Sequence, residues 1–350
     1  MIEDCVIVGG GVAGLSAANE LADAGVSPLI IEAGKFPSHK ICGEFISHEC
    51  LPILDRWQIH LLGHIDLCRF ISGSRKAEFR LPIASGSCSR YRLDGMLFER
   101  ALNKGARALT ETTVLSLNET SGLYELQLSN GQTVQARNLM IGTGRIPKLH
   151  NNQKPLELKY YGFKAHFENM GNENRVEMHL FPGGYLGISN VDDKTTNIAC
   201  IVKKSAVNQP ITFMDEIKNH PSMQIFKERM SKSKMIYPQW LMGQLPEFGI
   251  RSNPAMKNIF WIGDAAGSIP PICGDGLAIA ITSGCLAADC FLKSNAKEFK
   301  NEWVKRYHRR FFIAKYIHKF MTTKYLESLA VEACRLFPSL PTYLWSQTRD

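Results

Sequence analysis

Residues 5–32 hold a pattern that few folds accommodate. The apolar run Cys5-Val-Ile-Val8 leads into Gly-Gly-Gly-Val-Ala-Gly at 9–14. Leu15, Ala18, Leu21 and Ala22 then recur at helical spacing up to Gly25, and Pro28-Leu-Ile-Ile-Glu32 is a second apolar run. A strand, a glycine-rich turn, a helix and a strand within roughly 30 residues make a βαβ unit, whose two strands run parallel. Gly9, Gly11 and Gly14 spell G-x-G-x-x-G. The first glycine permits the tight turn. The second lets backbone approach a pyrophosphate, and the third lets the helix lie close on the strand. The first helical turn, with Val12 and Ala13, then points its N–H groups at the phosphates. Glu32, 18 residues beyond Gly14, ends the second strand with Ala33 beside it. A carboxylate there accepts hydrogen bonds from ribose hydroxyls and repels a 2′-phosphate, so a dinucleotide other than NADP is expected.

The pattern then changes. Asp94 to Ala108 predicts a helix, and Thr112–Leu117, Tyr124–Leu128, Thr133–Ala136 and Asn138–Gly142 predict strands, with Asn130-Gly131 as a hairpin turn. From about 155 to 250 short strands dominate: Tyr160–Phe167, Arg175–Phe181, Tyr185–Ser189 and Thr196–Val202. Residues 277–350 read as helices broken at Asn295 and Pro338. The expected fold class is α/β, with a Rossmann-type nucleotide-binding domain over 1–155 and 250–295. An inserted antiparallel β-sheet substrate domain is expected over 156–249, and a helical region over 296–350.

Which dinucleotide binds is indicated by Ile262–Gly276, IGDAAGSIPPICGDG. A buried strand stops at Gly263-Asp264, runs through two prolines and restarts as a helix after Gly274-Asp275-Gly276. Together with the glycine loop and with Arg90-Tyr-Arg-Leu-Asp94-Gly-Met-Leu97, this segment resembles the group A flavin monooxygenases and the related geranylgeranyl reductase-type flavoproteins. The resemblance spans nearly the whole chain and implies FAD as cofactor. It implies that Asp264, after Gly263, accepts a hydrogen bond from a ribityl hydroxyl and that Pro271 lies at the flavin ring edge. Gly274, Gly276 and Leu277 would bring backbone N–H groups to the ring, where a helix N-terminus favours the negative charge of a reduced flavin. It further implies that Arg90 would contact the flavin or its phosphates, that Lys40 would belong to the same cofactor-binding set, and that Val114 would line the adenine site. Thr143 stands where hydroxylase relatives carry an Asp.

Lys40-Ile-Cys42-Gly43-Glu44 resembles the Cys-Gly-Glu segment of the reductase-like branch. Cys42 is a candidate proton donor or a packing thiol, and Glu44 a candidate general acid or a structural hydrogen-bond acceptor. Tyr185, in a Pro-Gly-Gly-Tyr turn, is a candidate substrate contact or core residue. No Trp-x-Trp-x-Ile-Pro segment is present, so halogenation is not expected.

The bulk properties fit a globular protein: 350 residues, 45% hydrophobic and 21% charged. No run reaches the ~18 apolar residues of a membrane span. The chain enters a strand straight after Glu3 and Asp4, so no signal peptide is read and a cytoplasmic location is expected. The ten cysteines show no zinc-ligand spacing, and no metal site is expected. Net charge is +8, partly from a basic, aromatic-rich stretch over 297–324. It reads as a solvated helix face, or as a peripheral membrane contact, and carries no nucleic-acid motif. Three functions follow. The first is a FAD-dependent monooxygenase or hydroxylase acting on an aromatic or polyketide-like molecule with NAD(P)H and O2. The second is a FAD-dependent reductase or dehydrogenase of C=C bonds in a prenyl or lipid-like substrate. The third is a non-catalytic flavin-binding redox module. No second glycine motif exists for a nicotinamide, so NAD(P)H would act only as a transient reductant.

Overall fold

The computed structural model describes residues 2–145, 156–168, 170–171, 174–220, 223–253 and 256–349. The domain border expected at residue 155 lies outside them. The fold is α/β, with a Rossmann-type unit, a large second sheet and C-terminal helices.

The opening βαβ unit forms as its pattern predicts. β1 (Ile2–Val8) passes through the glycine loop into α1 (Val12–Asp23) and back to β2 (Leu29–Ile31). Val6, Ile7 and Val8 pair in parallel with Leu29, Ile30 and Ile31, and all six are buried, as strands covered on both faces require. The chain then leaves this sheet for β3 (Phe45–Ile46), α2 (Leu51–Arg56), β4 (Gly63–Ser72) and β5 (Arg75–Ser87). It returns through α3 (Arg90–Asn103) to β6 (Arg107–Leu109), which adds parallel to β2. α3 starts one turn before Asp94 and stops short of Ala108. Ser89 caps its start by accepting the Arg92 N–H at 3.3 Å, and Gly105, with φ +100°, lies just past its end. β7 (Val114–Thr120), β8 (Leu123–Leu128) and β9 (Thr133–Ile141) complete the sheet in the order β6-β2-β1-β9-β8-β7.

The second sheet is built mainly from β10 (Leu158–Glu168), β11 (Arg175–Phe181), β12 (Gly184–Asn190), β13 (Thr195–Lys203) and, after α4 (Phe213–Ile217) and α5 (Gln224–Ser231), β14 (Leu241–Pro246). Its order is β14-β10-β13-β12-β11-β4-β5-β3. Two sequence expectations therefore change. Three strands of this sheet come from 45–87, inside the stretch 1–155 expected to form the nucleotide-binding domain. The sheet is also mixed, because β11 runs parallel to β4, pairing Arg175–His179 with Leu67–Ile71. Alternation is weak in β4, whose burial is irregular, so periodicity gave no strand signal there.

After β15 (Gly249–Ile250), β16 (Ile259–Trp261) rejoins the first sheet. It pairs with Leu139–Ile141 of β9, while β8 pairs with Thr133–Ala136 of the same strand. The change of partner along β9 explains why one strand reads as two in sequence. β17 (Gly267–Ser268) pairs with β15 and precedes α6 (Gly276–Leu292), α7 (Ala296–Thr322), α8 (Leu326–Leu336) and α9 (Ser339–Gln347). Asn295 caps α7 by accepting the Glu298 N–H at 3.2 Å, as a break at that residue requires. A further break at Tyr325, with φ +72°, separates α7 from α8. α6 is buried along most of its length and presses on α1: a Cβ at Gly284 would stand 2.3 Å from the Ala13 carbonyl oxygen. That close approach brings the Ile262–Gly276 segment to the glycine loop.

Candidate active site

A cavity of about 730 Å³ runs from the glycine loop to the C-terminal helices. This is within the range of cofactor and ligand pockets. At one end the three motif glycines occupy distinct environments. A Cβ on Gly9 would stand 2.4 Å from the Gly142 carbonyl oxygen, and one on Gly14 would stand 2.0 Å from the Gly9 carbonyl oxygen. Gly9 also needs φ +102°. Gly11 meets nothing within 4 Å and lines the cavity, so its bare backbone is open to a phosphate. Val12 and Ala13 line the same wall. Glu32 accepts the N–H of Gly10 at 2.7 Å and of Gly34 at 2.8 Å. It thus braces the loop, and each carboxylate oxygen keeps a lone pair for a ribose. Ala33 and Val114 also line this end. This cradle fits a dinucleotide.

The Ile262–Gly276 segment faces it. Gly263 holds φ +56°, and a Cβ there would stand 2.7 Å from Ala13 Cβ. Asp264 lines the cavity and accepts a hydrogen bond from Arg145 Nε at 2.9 Å. Pro271 opens a short helical turn ending at Gly274, whose φ of +74° favours glycine. A Cβ on Gly274 would press into Phe45 at 2.8 Å. Gly276 and Leu277, the first residues of α6, complete this wall. Lys40 and Arg90 line the opposite side, and Arg90 makes a two-pronged ion pair with Asp94 at 2.6 and 2.7 Å.

Cys42 is half-buried on the cavity wall, and its Sγ accepts the Glu44 N–H at 3.3 Å. The Arg90 guanidinium also faces that sulfur. Glu44 itself departs from the expectation of a direct general acid. It sits at φ +59°, strained for a non-glycine residue, and its side chain is fully buried. One carboxylate oxygen accepts the Arg90 backbone N–H at 2.6 Å and contacts Lys164 Nζ, and the other lies 2.7 Å from His166 Nε2. Burial pushes the Glu44 pKa up, but the hydrogen bond with His166 and the charges of Lys164 and His166 outweigh it and hold the group below the usual carboxylate range. A buried, ionised and fully engaged carboxylate accepts protons reluctantly and has none to donate. From His166 the network continues through Tyr237, 3.0 Å from His166 Nδ1, to exposed His39 at 2.7 Å.

Tyr185 lines the cavity with its hydroxyl buried and without a hydrogen-bond partner among the described residues. Burial keeps that hydroxyl protonated, well above the usual phenol range. A buried hydroxyl left unpaired costs about 1–3 kcal/mol, which a ligand or water can recover.

Residues 4–178, half of the chain, match the family described as lycopene cyclase protein. The chain belongs to that family. It is 23% identical to a menaquinone reductase of Mycolicibacterium smegmatis, over 91% of this chain and 84% of the relative. It is 25% identical to digeranylgeranylglycerophospholipid reductase 3 of Methanosphaera stadtmanae, over 94% and 85%. Among solved structures, a flavin-dependent brominase superposes with a TM-score of 0.82 at 17% identity, covering 99% of this chain and 93% of that one, a likeness of fold. The chain is an oxidoreductase with the fold of flavin-dependent enzymes, and the cradle around its glycine loop fits FAD.

Several residues of this site carry no local sequence signal. Arg145 follows a Gly-Thr-Gly turn that resembles no phosphate loop, yet it pairs with Asp264. Lys164 and His166 read as ordinary strand residues, but alternate positions on β10 put both on the Glu44 side. Arg349 reaches back some 75 residues to donate to the Cys273 carbonyl at 2.6 Å and to pair with buried Asp275 at 3.0 Å. Only the charge of Asp275 inside an apolar segment hinted at such a partner.

Proposed function

We propose that this flavoprotein reduces a carbon–carbon double bond in a prenyl or lipid-like substrate. The observation that carries this reading is the apolar half of the cavity. Cys68, Phe70, Phe79 and Leu81 from β4 and β5, with Met178 from β11 and Met321 from α7, line it. Such a lining suits a long hydrocarbon chain and offers no row of polar groups to orient a phenol. Two relatives are named as reductases of menaquinone and of digeranylgeranylglycerophospholipid, which supports the same substrate class.

Bound and reduced, FAD supplies a hydride. Saturation then needs that hydride on one alkene carbon and a proton on the other. The Cys42 thiol and the Tyr185 hydroxyl are the two cavity-wall donors proposed for the proton. The Gly11 loop, Glu32 and Asp264 hold the cofactor, and the apolar half excludes water from the reacting carbons. Electrons come from a transient reductant, NAD(P)H or another donor.

The test is a product mass. The flavin-loaded protein is reduced without air, mixed with a geranylgeranyl lipid and, separately, with an aromatic substrate panel, then analysed before and after air is admitted. Saturation gives an isoprenoid product heavier by two hydrogens, formed without oxygen. An aromatic product heavier by one oxygen, formed only with air, overturns this reading in favour of hydroxylation. Flavin turnover with neither product overturns both.

A further inference from the structure

The C-terminal helices have two faces. The inner one walls the cavity through Ile317 and Met321 of α7, Cys334 of α8 and Leu344 of α9. The outer one carries large apolar side chains in the open. Phe312, Tyr316 and Phe320 repeat every four residues along α7 at 58, 56 and 43% exposure, and so form one stripe. Tyr325 and Phe337, just past the C-terminal ends of α7 and α8, are exposed as well, at 71 and 63%. Around the stripe stand exposed Arg309, Lys315, Lys319 and Lys324. Between Val304 and Lys324 the sequence holds no Asp or Glu. No described helix is long and apolar enough to cross a membrane.

We infer that this outer face docks on an anionic phospholipid bilayer. The aromatic stripe matches the depth of an interfacial helix, and the flanking cations match acidic headgroups. A second copy of the chain is the poorer partner, because a two-fold contact would set the same cations against one another. Nucleic acid would leave the apolar stripe unsatisfied. The bilayer thus meets the outer side of the helices whose inner side lines the apolar half of the cavity. Docking does not depend on which reaction the cavity performs, and its test reads binding alone.

The flavin-loaded protein is sedimented with vesicles of phosphatidylcholine, with and without phosphatidylglycerol. The expected result is binding to the anionic vesicles that falls with added salt. Each Lys or Arg near an anionic surface contributes about 1 kcal/mol, so reversing two of them, Lys315→Glu with Lys319→Glu, should weaken binding at least about tenfold. Phe312→Ser with Phe320→Ser should weaken it comparably and leave the salt dependence in place. Flavin content and helical circular dichroism of each variant confirm that it is folded. Absence of sedimentation, equal binding to neutral and anionic vesicles, or binding that the folded variants retain would overturn the inference. So would a dimer in solution that the Phe variants disperse, or stronger capture by RNA than by vesicles.

Discussion

His166 Nε2 lies 2.7 Å from a Glu44 carboxylate oxygen, and both side chains are buried where the second sheet meets the cavity wall. Lys164 shares the same carboxylate with no exposure at all. Removing one partner of such a pair leaves an uncompensated buried charge, which costs about 3–5 kcal/mol. Glu44→Gln should therefore lose that much in denaturant unfolding at pH 7. Adding Lys164→Met should recover part of it. The folded pKa of Glu44 lies below its unfolded value, so its contribution is present above about pH 4.3 and is lost as pH falls through the folded pKa. A cost under about 1 kcal/mol for Glu44→Gln would mean that the cluster does not hold the Cys42 loop.

Gly11 and Gly14 should separate folding from cofactor binding. Gly14→Ala places a methyl 2.0 Å from backbone that cannot move, so it should abolish the folded state or cost several kcal/mol. Gly11 is extended, with φ −76° and ψ 178°, and its Cβ would project into open space. Gly11→Ala should leave the melting temperature of the flavin-free protein unchanged and raise the Kd for FAD tenfold or more. Equal FAD affinity in the folded Gly11→Ala variant would remove the phosphates from this loop.

The glycine loop was legible because each glycine answers a local steric demand within one βαβ unit. The same holds for Asn295, a cap, and for Asn130-Gly131, a hairpin turn with φ +83° at the glycine. What escaped was non-local. β4 and β5 join a sheet whose neighbouring strand begins at Arg175, a pairing set by tertiary register and not by alternation. Glu44 was legible as a charged residue beside the reactive face, but its role depends on Lys164 and His166, about 120 residues away. Spacing along the chain carries no information about such a partner.

Asp264 divides its carboxylate between the cavity and Arg145. Asp264→Ala should lower the flavin-to-protein ratio on purification and raise the Kd for FAD. Arg145→Ala frees the carboxylate without deleting it and should have the smaller effect. An unchanged flavin content in Asp264→Ala would take this segment out of the cofactor site.

Cys42→Ala and Tyr185→Phe test the proton source. Both should retain FAD with its normal absorption. The donor's removal should slow single-turnover saturation by about 100-fold, within the usual range for general acid catalysis, and should change the solvent isotope effect. Removal of the other residue should change substrate affinity alone. Full single-turnover rates in both variants would exclude both groups as donors.

Asp275 and Arg349 set a different pH response. Burial pushes the Asp275 pKa up to about 6, against the pull of Arg349 at 3.0 Å. The folded protein thus holds this proton more tightly than the unfolded chain, whose Asp titrates near 3.9. Between about pH 4 and pH 6 the folded state binds more protons, so this group's contribution to stability falls as pH rises, by about 3 kcal/mol in all. Asp275→Asn has no such proton. Its stability relative to the parent chain should therefore improve progressively from pH 4 to pH 7, measured by denaturant unfolding of the flavin-free protein at each pH. The loss of Arg349's partner shifts every point equally and leaves the slope intact. A difference between the two proteins that stays constant across the range would show that Asp275 is ionised at pH 4, with Arg349 fully compensating its burial.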